Sequence, residues 1–417
     1  MNQNHFIKKL TVLLLTTVCI SQTMDETSQG KFISFAPSNF ISEESTLLVS
    51  GESYYPYQWA LKNNGTLRQI SISGGEREAG SSAYGPGSGI PGGGENGGWQ
   101  PAEEQVISGV AGIDIGIEAA WEQYEQSTAR RMVTVALIDT GVDITHTDLK
   151  NAIWINSDEI PGDGIDNDNN GYADDVNGWN FYSGNNQVFV GQEDSHGTHG
   201  AGTIAGAWDG QGMTGIADSS YVKIIPLKVL ASEEGMGISD GVKQAIRYAQ
   251  ANGADICNLS MGTLTYDEEL ETLIRNSPML FVASAGNGDE QERGFDIDTL
   301  PVYPAAYSSD NIITVANLRF DGSLSASSNY GAVSVDIAAP GTYILSTVPG
   351  GYGFMSGTSM AAPMVTGTAA LLYSCRPELT LADVKRVIMS SAKQMDGLRG
   401  KTVSGGMLDA YGAIVSP

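Results

Sequence analysis

Cysteine is nearly absent from this chain of 417 residues. There are three, too few for a disulfide framework to carry the fold. Cys19 falls within an export-signal pattern, which leaves Cys257 and Cys375 either to pair or to stay as buried thiols, and neither sits in a pattern that suits a thiol nucleophile. Positive charge is also scarce: 22 Lys and Arg stand against 48 Asp and Glu, for a formal net charge of -26. That balance argues against nucleic acid and anionic membrane surfaces as partners. Long apolar runs are missing beyond the N-terminus, so no membrane span is expected. The one early run, residues 10–20 behind Lys8 and Lys9, is too short to cross a bilayer and reads as an export signal. Val18 is a poor residue before a lipidated cysteine, so a secreted protein is expected rather than a lipid-anchored one. Histidine occurs only four times, so two of them three residues apart stand out.

What is present divides the chain into an export signal at 1–21, a short leader at 22–53 with a strand candidate at 46–49, and a folded body at 54–417. Trp59, within 55–61, is a candidate core anchor. Residues 73–98 are rich in glycine and hold Pro86 and Pro91, a composition that buries little apolar surface and marks a surface loop open to proteolytic processing. From residue 113 the pattern becomes regular. Helices are expected at 115–123, from the cap Ser239 to a stop at Asn252-Gly253, at 267–275, through 366–373 and at 381–391, the last capped by Thr380. Apolar strands are expected at 133–138, 221–230, 256–260, 279–283, 311–316 and 333–338. Strands alternating with helices imply an α/β fold of three layers, a mostly parallel central sheet with helices on both faces. In such sheets sites form at the carboxyl ends of strands. No repeat or oligomerisation signal is present, and a monomer is expected.

Four places carry chemistry. Asp139 follows the apolar strand directly; alone it would be an ordinary turn or cap residue. His196 opens His196-Gly197-Thr198-His199, whose small residues allow close helix packing. The pair could suggest zinc, but no glutamate base accompanies it in the usual spacing. Asn287 lies in Ala283-Ser284-Ala285-Gly286-Asn287, just past a strand. Ser359 lies in Gly357-Thr358-Ser359-Met360-Ala361-Ala362-Pro363, ahead of an apolar helical run. A serine at a helix start is most often a plain cap. Taken together, the four supply acyl transfer: a serine nucleophile, an imidazole base, a carboxylate that orients it and an amide that donates to an oxyanion. The order Asp, His, Ser differs from the chymotrypsin and α/β-hydrolase orders.

These segments, with Ala136-Leu137-Ile138-Asp139-Thr140-Gly141-Val142-Asp143, resemble the subtilisin-like serine proteases, and the resemblance runs from about residue 55 to near the C-terminus. It implies a subtilisin-like fold and an endopeptidase acting on peptide or protein substrates. In it Ser359 would be nucleophile, His196 general base and acid, Asp139 its orienter, and Asn287 with the Ser359 N–H the oxyanion hole. It further implies a substrate strand flanked by Gly235, Met236 and Gly237 on one side and Ser260, Met261 and Gly262 on the other. Ala283, Ser284, Ala285 and Gly286 would wall the pocket for the residue before the scissile bond. Val302 would form its floor, and a branched floor predicts small or medium side chains there. Glu233 and Glu234 near the cleft edge would favour basic residues upstream, although a solvated turn is the plainer reading.

Residues 163–175 are dense in oxygen ligands. Asp166, Asp168 and Asn170 alternate before Gly171, as in the first half of an EF-hand loop, with the Tyr172 carbonyl next and Asp174 or Asp175 in place of the closing glutamate. Carboxylates so close repel unless a cation joins them, so a structural Ca²⁺ is expected, as the resemblance also implies. Many secreted relatives carry a folded inhibitory propeptide; about thirty residues separate signal and body here, which leaves open how a zymogen would be held silent. Three functions fit: a general secreted protease, a dedicated processing protease that removes leader peptides, and an inactive binding protein that keeps the fold.

Overall fold

The computed structural model describes residues 31–34, 53–71, 103–231, 236–289 and 291–417. The export signal, the strand candidate at 46–49, the glycine-rich stretch and residues 233–235 lie outside them.

Strand β1 (Lys31–Ser34) comes first, followed by the antiparallel pair β2 (Thr66–Ser71) and β3 (Glu103–Ser108) and by helix α1 (Ile117–Gln126). The body then alternates: β4 (Val133–Asp139), β5 (Trp179–Asn180), α2 (Ser195–Ala205), β6 (Val222–Lys228), β7 (Met236–Ile238), α3 (Ser239–Ala251) and β8 (Ile256–Leu259). After β9 (Met261–Gly262) come α4 (Glu268–Arg275), β10 (Leu280–Ser284), β11 (Ile312–Leu318) and β12 (Ile337–Pro340). A second antiparallel pair, β13 (Ile344–Val348) and β14 (Gly351–Met355), leads into α5 (Thr358–Cys375). The chain closes with α6 (Leu381–Ser391), β15 (Lys393–Gln394), β16 (Gly406–Met407) and α7 (Ala410–Val415).

Nine strands form the central sheet in the order β15-β16-β12-β11-β10-β8-β4-β6-β5, and only the β15–β16 pairing is antiparallel. Strand β4 shows why both faces are covered. Val133, Val135 and Leu137 pack with Ala201 and Ile204 of α2 and with Met364 and Val365 of α5. Ala136 and Ile138 point the other way, onto Val242 and Ile246 of α3 and Leu270 and Ile274 of α4. A strand buried on both sides needs a continuous apolar run, and each fully buried branched side chain contributes roughly 1.5–3 kcal/mol. From β4 the chain steps to β6 on one side and then returns to β8 on the other. That reversal opens a crevice at the carboxyl ends of the strands, where Asp139 lies.

Local departures from the sequence reading have physical causes. Helix α1 starts at Ile117 rather than 115, because Gly116 takes a left-handed φ of 67° at the N-cap. Residues 333–335 are not strand: Val333 is 80% exposed, and β12 begins at Ile337. Ser239 is the first residue of α3, and its hydroxyl donates to Asp267. Cys257 and Cys375 are both free and buried. They belong to the clusters on opposite faces of the sheet, which precludes pairing. Burial raises the Cys257 thiol pKa and pushes that of Cys375 up to about 11.

Candidate active site

Asp139 closes β4, and His196 is the second residue of α2; both are almost fully buried. His196 Nδ1 donates to Asp139 Oδ1 at 2.7 Å, and the Thr140 N–H donates to the same oxygen at 2.6 Å. The bond to the carboxylate leaves Nε2 as the ring nitrogen for proton exchange. His199, one turn further on, turns away: its Nε2 donates to the Ile344 carbonyl at 2.8 Å, and burial lowers its pKa to about 4. The two imidazoles thus have separate tasks, which disposes of the zinc pair.

Ser359 sits in the first turn of α5, behind Gly357 as N-cap. Its Oγ donates to the Ser260 carbonyl at 3.1 Å, and Ser260 Oγ donates back to the Ser359 carbonyl at 3.1 Å. Asn258, at the end of β8, joins in: its Nδ2 donates to Ser260 Oγ at 2.9 Å and its Oδ1 accepts from Thr366 of α5 at 2.8 Å. The start of the serine helix is thereby fastened to the tip of the sheet. Against its flank lies α2, where a side chain added at Gly200 would meet Pro363 at 3.6 Å.

Asn287 follows β10. Its Oδ1 accepts from both the N–H and the hydroxyl of Thr358, each at 2.9 Å. Thr358 Oγ1 in turn accepts from the Gly286 N–H at 3.1 Å. With its oxygen held, the amide must present Nδ2 on the opposite side, where it is buried and has no acceptor among the described residues. An unsatisfied buried donor is costly, roughly 1–3 kcal/mol, and this one lies beside the start of the serine helix.

The cleft beside these residues has two edges, β7 and β9, and β1 lies between them. It pairs antiparallel with both: Lys31 opposite Ile238, Phe32 opposite Gly237, Ile33 opposite Met236 and Gly262, and Ser34 opposite Met261. Met236, Gly237, Met261 and Gly262 are thus brought to the two edges, while Gly235 lies outside the described residues. Val302 is buried in one cluster with Ala285 and Ile297. Beside it, the Thr263 and Tyr303 backbones exchange two hydrogen bonds of 2.8 Å next to the cis Tyr303–Pro304 bond. Ala283 and Ser284, both fully buried, end β10 beneath them.

In the acidic loop, carboxylate oxygens of Glu159, Asp168 and Asp175 lie within 4.8 Å of one another. Asp166 and Asp174 do not join them. Asp166 accepts the N–H groups of Asn170 and Gly171, and Asp174 those of Gly162, Asp163 and Gly164. The amide of Asn170 donates to both Asp168 and Asp175, as does that of Asn156. No lysine or arginine among the described residues makes an ion pair with the three.

Sequence reasoning passed over Thr358, Glu159 and β1. Thr358 stands within the serine motif, where its neighbour drew attention first. Glu159 lies seven residues ahead of the Asp166 alternation, so spacing alone does not connect it. Strand β1 is defined only by partners some two hundred residues away.

A carboxylate, imidazole, amide and serine in this chain order, at the open end of a parallel sheet, are the groups that acyl transfer requires. The chain belongs to the subtilase family, whose family model matches residues 130–413. It is 35% identical over 269 residues to the major intracellular serine protease of Bacillus subtilis, covering 63% of this chain and 75% of that one. It is 32% identical over 302 residues to subtilisin-like protease 1 of Plasmodium berghei, covering 67% of this chain and 49% of that one, so it spans about half the length of that relative. A solved structure, fervidolysin from Fervidobacterium pennivorans, a keratinolytic enzyme related to subtilisin, aligns with a TM-score of 0.57 at 25% identity. That alignment covers 72% of this chain and 45% of that one. Among the described residues, no helix is long and apolar enough to cross a membrane.

Proposed function

We propose that the chain is a secreted serine endopeptidase that opens peptide bonds through Ser359, with His196 as base and acid and Asp139 as its orienter. In the first step Ser359 Oγ bonds to the scissile carbonyl carbon while its proton passes to His196 Nε2. The C–N bond then breaks, His196 returns the proton to the leaving amine, and an acyl-enzyme remains. Water repeats the sequence and frees the acid. Asp139 holds the imidazole tautomer and balances the imidazolium, while Asn287 Nδ2 and the Ser359 N–H receive the oxyanion. The observation that carries this reading is the orphaned Asn287 Nδ2, turned out by Thr358 beside a serine at a helix start. Intact mass after treatment with a fluorophosphonate tests it. One adduct on the matured wild type, cut beyond residues 31–34, and none on Ser359→Ala supports it; a matured and folded wild type that takes no label overturns it in favour of an inactive binding protein. Hydrolysis of unrelated proteins such as casein marks a general protease, whereas cleavage confined to one leader peptide marks a processing enzyme. Export rests on residues 1–21, and release of that segment from a secreting host is its test.

The leader is its own first guest. Lying between β7 and β9, β1 holds the place of a substrate strand and keeps the zymogen silent until the chain is cut. Main-chain pairing on both sides suits an enzyme tolerant of sequence. N-terminal sequencing of the matured protein locates the cut, and cleavage just beyond Phe35 would seat an aromatic residue in the pocket and overturn the preference for small side chains.

The acidic loop suits Ca²⁺. Three carboxylates, two of them buried, with no cationic side chain among the described residues to balance them, form a hard-oxygen donor set. Glu159, Asp168 and Asp175 would hold the ion, with Asn156 and Asn170 supplying amide oxygens once turned over. The ion would supply charge balance and cross-link the loop.

A further inference from the structure

We propose that Lys228 and Asp194 form a positioning brace for the Asp139–His196 couple. Lys228 ends β6, and in the parallel register it stands beside Asp139. It is 2% exposed and Asp194 is 0% exposed, a charged pair fully inside the protein. Lys228 Nζ donates to Asp194 Oδ1 at 2.6 Å, to the Thr140 carbonyl, and to the Ala231 carbonyl at 3.3 Å. Thr140 follows Asp139 directly, and Asp194 is the N-cap of α2, two residues before His196. One ammonium group therefore grips the backbone beside the carboxylate and the residue that launches the imidazole's helix.

Two further observations set this pair apart from an ordinary buried ion pair. An aspartate at an N-cap normally bonds the free N–H groups of its own helix. Asp194 makes no such bond; its Oδ2 accepts from the N–H groups of Val190, at 2.5 Å, and Gly191, at 3.3 Å, while Oδ1 faces Lys228. The segments it joins are also packed too tightly for side chains. A Cβ at Gly141 would come within 2.6 Å of Asp194 Oδ1, at a φ of 120°, and one at Gly197 would collide with the Gly141 carbonyl. Thr140 Oγ1 accepts from the Gly197 N–H at 3.1 Å and completes the ring of contacts from Asp139 to His196. A buried pair adds little net stability over apolar residues of similar size, so its place here points to geometry.

The brace also sets the local field at His196. The charged or titratable groups around that ring are Asp139 from β4, Lys228 from β6, Asp194 from the N-cap of its helix and His199 from within that helix. Asp143, beyond Gly141, has Oδ1 engaged by Thr145. Removing Lys228 leaves an uncompensated anion near the imidazole, and removing the Asp194 charge leaves an uncompensated cation.

The test uses the full chain, matured and active-site titrated, as Lys228→Met, Asp194→Asn and the double variant. Each single variant is expected to lower kcat at least tenfold with KM within about twofold. The acid limb of kcat/KM should move to higher pH in Lys228→Met and to lower pH in Asp194→Asn. The charge-balanced double variant should return the limb to its wild-type position while kcat stays low, because the bridge to Thr140 is gone. Opposed limb shifts are a readout that general loosening of the fold would not produce. The proposal is overturned if the single variants keep wild-type kcat, if both limbs move the same way, or if the double variant recovers full kcat. If the single variants do not accumulate, the kcat of the double variant decides.

Discussion

Thr358→Val is the sharpest probe of the oxyanion side of the site. The substitution keeps shape and deletes one hydroxyl, and that hydroxyl makes two bonds: it donates to Asn287 Oδ1 at 2.9 Å and accepts from the Gly286 N–H at 3.1 Å. The second bond of the Asn287 oxygen, from the Thr358 N–H, survives. The Gly286 N–H would be left buried without an acceptor, a loss of about 1–3 kcal/mol in stability. For catalysis, the amide loses one of its two anchors. A neutral hydrogen bond is worth about 1 kcal/mol net, so kcat should fall roughly fivefold to tenfold at an unchanged KM. Titrated kcat on a chromogenic peptide measures the second effect. Unfolding midpoints in a Ser359→Ala background, free of self-digestion, measure the first. A variant that loses stability but keeps kcat within twofold would refute the claim that Thr358 aims the Asn287 amide. A rise in KM alone would refute it as well.

Other outcomes follow from the same geometry. His199 is neutral in the fold with a pKa near 4, against 6.5 when free. The unfolded chain therefore binds the proton first, and stability falls as pH drops from 6.5 towards 4, by about 3 kcal/mol in all. His199→Gln should flatten that slope in urea titrations of Ser359→Ala between pH 4.5 and 7. Chelation should lower the unfolding midpoint, by an amount worth about 4 kcal/mol if Ca²⁺ stands a thousandfold above its Kd. Glu159→Gln and Asp175→Asn should each abolish most of that difference, and equal midpoints with and without chelator would remove the ion. Val302→Gly should raise kcat/KM for Phe relative to Ala before the scissile bond, as read from a peptide library. Deleting residues 31–34 should remove any lag in the onset of hydrolysis, and an unchanged lag would show that β1 does not hold the cleft closed.

The parts of the fold that sequence made legible are those whose patterns are local. Val133 to Ile138 could only be a strand covered on both faces, and Thr380 with Asp383 closes a capping box at α6. The reading failed where local pattern imitated structure. Val333, Val335 and Ile337 alternate like a strand, yet only the last is within one, because Asp298 takes up the N–H groups of Val333 and Ser334 in a loop. It failed differently at the site. Asp139 stood out because it follows an apolar strand directly, and His196, Asn287 and Ser359 because each lies in a run of small residues, whereas Glu159 and Lys228 have no such setting. A second lysine, closing the apolar run Ile224 to Leu227, was the available signal for the brace, and the length of the strand masked it.

If the slot between β7 and β9 receives substrates, as proposed, it has a consequence for what such an enzyme can digest. Its guest would be held from both sides, as β1 is, with Lys31, Phe32 and Ile33 along β7 and Ile33 and Ser34 along β9. A helix has already spent those groups on itself, and a central strand has spent them on its neighbours. A native protein must therefore release a stretch of backbone before it can enter. The rate at which such a protein is consumed will follow how often that stretch opens, more than which side chains it carries. In that sense the enzyme measures the local stability of its substrates, and two proteins with identical cut sites can differ widely in lifetime before it.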